Sequence, residues 1–159
     1  TIDFVLWVPL FLIMIIATIE VGAMTMRHTQ LERALDATVR DVRLGTGENL
    51  SHADLKQDIC DHATLLTDCD TMMQLEMLPL DLRNWSNPPS NVDCSDTSQD
   101  VTPLRQFDAG TDNQLMYLRA CYKYQPIAPT GVLAGSLNTA EQGKTHVVSF
   151  SAFVQEPSS

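Results

Sequence analysis

The chain has 159 residues, ten basic side chains against twenty acidic ones, and a formal net charge of −10. That balance repels phosphate backbones and argues against nucleic acid or anionic lipid as a partner. With an N-terminal apolar segment set aside, about 130 residues remain, enough for one small domain with its own core and not comfortably two.

That segment comes first in the chain. Phe4 to Ile19 (FVLWVPLFLIMIIATI) is an uninterrupted apolar run, with Asp3 just ahead of it and Glu20 just behind. Apolar character resumes through Val21, Gly22, Ala23, Met24 and Met26 as far as Arg27. About 23 residues of helix span roughly 35 Å, against a hydrocarbon core of about 30 Å. A cleaved secretory signal has a shorter apolar stretch, a basic start and a small-residue cleavage site, and this segment has none of them. The sequence therefore predicts a transmembrane anchor over residues 1–26, with membrane lipid as a partner, and a head over 27–159. The start at Thr1 is read as a processed or truncated terminus. Pro9 removes one backbone hydrogen bond inside the helix, a defect that neighbouring groups must satisfy in a bilayer. Trp7 and Arg27 are placed to act as interface anchors.

The helix is expected to continue past the membrane face, to about residue 44. Leu31, Leu35, Val39 and Val42 recur at helical spacing, with Ala34 and Thr38 completing a narrow apolar stripe. Gln30, Glu32, Arg33, Asp36, Arg40 and Asp41 cover the other side, and Gly45-Thr46-Gly47 ends it. A second helix begins at Ser51, where Ser51 and Asp54 form a capping-box variant. Leu55, Ile59, Ala63 and Leu66 make its buried face.

Three strands follow. In Met72–Leu78, Met73, Leu75 and Met77 alternate with Gln74 and Glu76, which reads as a strand with one wet face. Residues 83–113 are rich in Asn, Asp, Ser and Pro and form a long irregular loop, for which Cys94 is a natural pin. Gln114–Ile127 alternates with Met116, Leu118, Ala120, Tyr122 and Tyr124 on one side. The span from Pro126 to Gly143 reads as a loop. Thr145–Val154 alternates Val148, Phe150, Ala152 and Val154 against Ser149, Ser151 and Phe153. The order predicts an α+β fold: a long N-terminal transmembrane helix extending into an amphipathic half, a short helix, and a small antiparallel sheet of about three strands.

The four cysteines, Cys60, Cys69, Cys94 and Cys121, all lie beyond the apolar segment. Their spacing matches no paired zinc pattern. From Glu48 onward there are fifteen acidic residues and six basic ones, which fits an exported domain and so favours disulfides. Three connectivities are open. Cys60–Cys69 with Cys94–Cys121 is preferred, because each then closes a modest loop that otherwise has little to fix it.

Several of these blocks, taken in order, resemble the TadE-like proteins, minor pilins or pseudopilins of tight-adherence pilus systems. They are D-F-x-L-x-x-P-L-F-L (Asp3 to Leu12) followed by Glu20 and Gly22, then the amphipathic stretch Gln30 to Arg43. After these come D-C-D (Asp68 to Asp70), the F-D-A-G turn (Phe107 to Gly110) and the strand L-R-A-C-Y-K-Y (Leu118 to Tyr124). The resemblance implies cleavage by a prepilin peptidase just ahead of the apolar helix, leaving an acidic residue that pairs with a neighbour's terminal amine. Asp3 is the residue here that would fill that role, although pilins usually carry Glu at the fifth mature position. An amine and a carboxylate meeting in an apolar bundle satisfy two charges that would each be costly alone. The partners implied are other pilin-like subunits or transmembrane helices of a larger complex. The location implied is the bacterial inner membrane, single-pass, with the C-terminal domain in the periplasm or at the cell surface.

Each candidate site has a plainer reading beside it. Asp3 also suits a helix N-cap at the membrane surface. Glu20 is a subunit-docking candidate, but snorkelling to water is the simpler account. Pro9 is either a soft point for extraction from the membrane or an ordinary kink. Asp54, Asp58, Asp61, Asp68 and Asp70 offer oxygen ligands for calcium, but without a D-x-D-x-D-G loop a solvated acidic face is favoured. His28, His52, His62 and His146 are scattered, and no metal-ligand pair is expected among them. Tyr117, Tyr122, Tyr124 and Trp85 read as core and cross-strand packing. No hydrolase, phosphate-loop or dinucleotide motif is present, so the reading is non-enzymatic, with no cofactor or metal. An alternative is a single-span accessory subunit of a larger energy-transducing or transport assembly. Glu20 and Pro9 would then meet specific neighbouring helices.

Overall fold

The computed structural model describes residues 2–43, 51–88, 94, 107–108, 110–111, 113–128 and 143–156. Helix α1 (Ile2–Arg43) is one uninterrupted helix of 42 residues that includes Pro9, and at 1.5 Å per residue it is about 63 Å long. Basic Arg40 and Arg43 lie in its last turn, where they complement the negative helix end. The expected stop at Gly45–Gly47 lies outside the described residues.

Helix α2 (His52–His62) is capped by Ser51, whose hydroxyl accepts from the Asp54 N–H at 3.1 Å and donates to the Asp54 carboxylate at 2.5 Å. A short helix absent from the sequence reading, α3 (Cys69–Met72), follows a tight turn. Its N-cap, Asp68, takes the left-handed conformation at φ 51°. Strands β1 (Met73–Leu80), β2 (Leu115–Tyr124) and β3 (Thr145–Val154) form an antiparallel sheet in the order β1-β2-β3. The architecture is thus α+β, with the amphipathic half of α1 and the shorter helices packed on one face of the sheet.

The core is the meeting of two periodicities. Leu31, Ala34, Leu35, Thr38, Val39 and Val42 on α1 are buried, as are Leu55 and Ile59 on α2. They meet Met73, Leu75 and Met77 of β1 and Met116, Leu118, Ala120, Tyr122 and Tyr124 of β2. Tyr122 donates its phenol hydrogen to the Thr67 carbonyl at 2.8 Å, which ties the turn before α3 to the sheet.

Strand β3 presents its other face to the core from the one with the longer apolar series. Val147 and Phe153 point inward with Thr145 and Ser149, while Phe150 is 68 % exposed and Val154 is 46 % exposed. The cause is register. Tyr122, an inward residue, pairs with Val147, and every second residue of β3 then follows. The short Thr145 and Ser149 leave room for α1, and the His28 ring on α1 lies 3.1 Å from the Val148 carbonyl. Phe150 is covered in part by stacking on Tyr117, with ring centroids 6.0 Å apart.

Two further expectations are corrected. The face of β1 read as wet is covered, since Gln74 is buried and the half-buried Glu76 is ion-paired to the buried Arg119 opposite it on β2. Cys121 pairs with Gln74 across the strands and is bonded to Cys94, so Cys94 lies over this face. Trp85 is not a core residue: it is exposed, and its indole N–H donates to the Asn87 side-chain oxygen at 2.8 Å.

Most of 83–113 lies outside the described residues, but Phe107 bridges to Met77 and the Asp108 N–H donates to the Met77 carbonyl. Cys60 is bonded to Cys69 and Cys94 to Cys121, each with Cα atoms 5.7 Å apart. This is the preferred one of the three pairings. Closing loops of nine and 27 residues in sequence separation contributes about 3 kcal/mol each on the chain-entropy model.

Candidate membrane anchor and its junction with the head

Helix α1 divides sharply by exposure. From Phe4 to Ile19 the large apolar side chains other than the half-buried Val8 are exposed, from 38 % for Ile15 to 72 % for Phe4. Burial begins at Glu20, which is only 3 % exposed. An apolar helix left bare all round has no stable place in water, because roughly 25 cal/mol is lost for each Å² left wet. Phe4–Arg43 contains a stretch long and apolar enough to cross a membrane. Pro9 and Trp7 both sit on this bare section, Trp7 at 68 % exposure. The backbone of Asp3 is helical, and its side chain lies outside the described residues.

Glu20 does not reach water. One carboxylate oxygen accepts the Ala128 backbone N–H at 3.1 Å, so the head's own chain folds down over it. The other oxygen is buried and has no hydrogen-bond partner among the described residues. Two turns further on, the Arg27 guanidinium lies over the Tyr124 ring, 4.4 Å from its centroid, a cation–π contact. Burial pushes the Tyr124 phenol above its ordinary pKa of 10; the charge of Glu20 and the neighbouring Tyr122 add to this, and Arg27 opposes it. Glu20, Arg27, Tyr124 and Ala128 therefore form one polar joint between anchor and head. Half of it was visible in the sequence: Glu20, Met24 and Arg27 extend the Leu31–Val42 stripe backwards at helical spacing. Tyr124 and Ala128 carry no such signal.

The remaining candidates are dispersed. Asp54, Asp61, Asp68 and Asp70 are exposed. Asp58 instead comes together with His62 and Asp41, their ligand atoms all within 4.8 Å of one another at the exposed seam of α1 and α2. The His62 Nδ1–H donates to the Asp58 carbonyl at 2.9 Å, which raises the His62 pKa above 6.5; Asp58, Asp41 and Asp61 add to the effect, and slight desolvation opposes it. His28 meets Val148 and Glu32, and His52 packs edge-on against Phe107 at 5.2 Å.

A bare apolar rod continuous with an α+β head is the form of a membrane-anchored protein, with one candidate span among the described residues. Comparison with known families agrees with the resemblance seen in the sequence: residues 1–40 match the family model described as TadE-like protein. That similarity covers the apolar section of α1 and most of its amphipathic continuation, about a quarter of the chain. No curated protein and no solved structure matches the chain.

Proposed function

We propose that this protein is a non-enzymatic, pilin-like component of a tight-adherence pilus system, contributing to pilus assembly through lateral packing of its N-terminal helix. The observation that carries this reading is the exposure of nearly every apolar side chain from Phe4 to Ile19 on a helix whose other half packs one stripe, Leu31 to Val42, into the core. Such a rod is complete as a head support and incomplete as a packed helix, and neighbouring helices or lipid tails supply the missing contacts. Residues 1–26 form the anchor and 27–159 the extracytoplasmic head, with the head's lower lip overlapping the last two turns of the anchor. Two disulfides suit an oxidising compartment. In this reading Pro9, exposed on the bare section, and Asp3 ahead of it in sequence are the residues that meet other subunits. Glu20 is engaged by its own head, so its part is to fix the head on the rod.

The test is fractionation of cells producing the full chain. The protein is expected in the membrane pellet after alkaline extraction and, when the pilus system is active, in sheared surface material or in crosslinks to other pilins through positions 4–19. Recovery in the aqueous fraction with residues 4–26 intact would overturn the reading.

A further inference from the structure

We propose that the cavity beside Arg27 is a binding site for a phosphate oxyanion, the headgroup phosphate of the membrane's own lipids being the source nearest to it. This rests on the reading of residues 1–26 as a bilayer anchor. The cavity is about 230 Å³, and its wall includes Arg27, Lys123, Lys144, Tyr122, Tyr124 and Asp68. The Arg27 and Lys144 side chains reach this hollow beside Tyr124 and Met72, against the single carboxylate of its wall, Asp68, while strand alternation turns the Lys123 side chain to the other face of the sheet.

Two polar atoms at this site stand unsatisfied. One guanidinium nitrogen of Arg27 and the Tyr124 hydroxyl are buried and have no hydrogen-bond partner among the described residues. Tyr124 itself is 5 % exposed. A buried donor left unpaired costs about 1–3 kcal/mol, more if charged, so groups of this kind call for an acceptor. Arg27 and Tyr124 are donors at neutral pH, and an oxyanion is the acceptor that suits both.

Height along the rod indicates where that oxyanion comes from. On the side of α1 away from the head, bare apolar residues continue as far as Met26, which is 63 % exposed. Arg27 is the next residue, and a helical side chain leans back towards the N-terminus. Its guanidinium therefore lies where hydrocarbon gives way to headgroups. The net acidity of the head opposes adsorption to an anionic surface but not this site, because a zwitterionic phospholipid carries the same phosphodiester.

The test uses the full-length chain in detergent, incubated with phosphatidylethanolamine or with a galactosyl diacylglycerol of the same acyl chains, and reads the retained lipid by native mass spectrometry. The wild type is expected to keep one phospholipid with about tenfold preference over the phosphorus-free lipid, the effect of one or two charge-assisted hydrogen bonds. Lys144→Gln and Arg27→Gln should lose that preference with both disulfides and helical content intact. Arg43→Gln, which removes an exposed cation near Glu156 and outside the cavity, should keep it. Inorganic phosphate at millimolar concentration is the second arm: displacement of the lipid identifies the free anion as an equal ligand, and no displacement identifies the lipid headgroup as the source. Equal retention of the two lipids, or a Lys144→Gln variant that binds as the wild type does, overturns the site. Loss of both lipids by a water-soluble chain would instead overturn the membrane reading.

Discussion

Gly110 shows how much can rest on the absence of a side chain. Its φ is +74°, a conformation L-residues avoid, and its N–H donates to the Asp108 side chain at 3.0 Å to close a tight turn. A Cβ there would stand 2.5 Å from the sulfur of Met116, which is fully buried. Gly110→Ala is expected to destabilise the head by about 1–3 kcal/mol, through backbone strain and displacement of Met116. Gly143, also at +74° but with open space around it, isolates the backbone part, and Gly143→Ala should cost less. Chemical denaturation of the two variants measures the difference.

His62 gives the molecule a pH dependence with a definite sign. Its folded pKa is raised, so its contribution to stability is fully present below about pH 6.5 and is lost as pH rises through the raised folded value. The melting temperature of wild type minus that of His62→Gln should therefore be greater at pH 5.5 than at pH 8.5. An equal difference at both values would exclude the Asp58 and Asp41 interactions as the cause.

Among the elements, the second half of α1 was the easiest to read. Leu31, Leu35, Val39 and Val42 face one way because a helix repeats every 3.6 residues, and no distant information is needed to see it. Strand β3 was harder for a physical reason. Both of its faces hold apolar side chains, so local alternation does not decide which one turns inward. The choice falls to pairing with β2, whose inward Tyr122 sets Val147 inward and Phe150 outward. Trp85 misled in the same way, since an aromatic ring in a polar segment carries no pattern to say whether it is covered. The anchor–head joint was half visible, because Glu20 and Arg27 share the α1 stripe while Ala128 lies 108 residues from Glu20 in sequence. The same stripe separates packing from polarity. Leu35→Ala should cost about 2–5 kcal/mol by opening a cavity at the centre of the core. Thr38 is fully buried, and its hydroxyl has no partner among the described residues. Thr38→Val should accordingly be neutral or stabilising by up to about 1 kcal/mol, since it removes an unsatisfied group at nearly constant shape. Thermal unfolding of both variants tests the pair.

At the level of the whole molecule, the chain separates two kinds of stability. The head closes on itself through its sheet, two disulfides and the α1 stripe. The rod ahead of Glu20 closes on nothing among the described residues. The overlap at Glu20 and Arg27 joins the two, and the Ala128 N–H is the lowest point at which the described head grips the rod.

Because α1 crosses from bare to buried without a break, it has no hinge, and the direction the head faces is geared to the rotation of the rod. Each residue of helix turns the chain by about 100° and advances it by 1.5 Å. One alanine inserted between Ala17 and Thr18 should leave the head's melting temperature unchanged while swinging the head by more than a quarter turn relative to any neighbours gripping positions 4–16. Seven inserted alanines should restore the bearing to within about 20°. Assembly into filaments, scored beside thermal stability, would then follow angular phase and not length, as in a key whose bow and bit are cut from a single shaft.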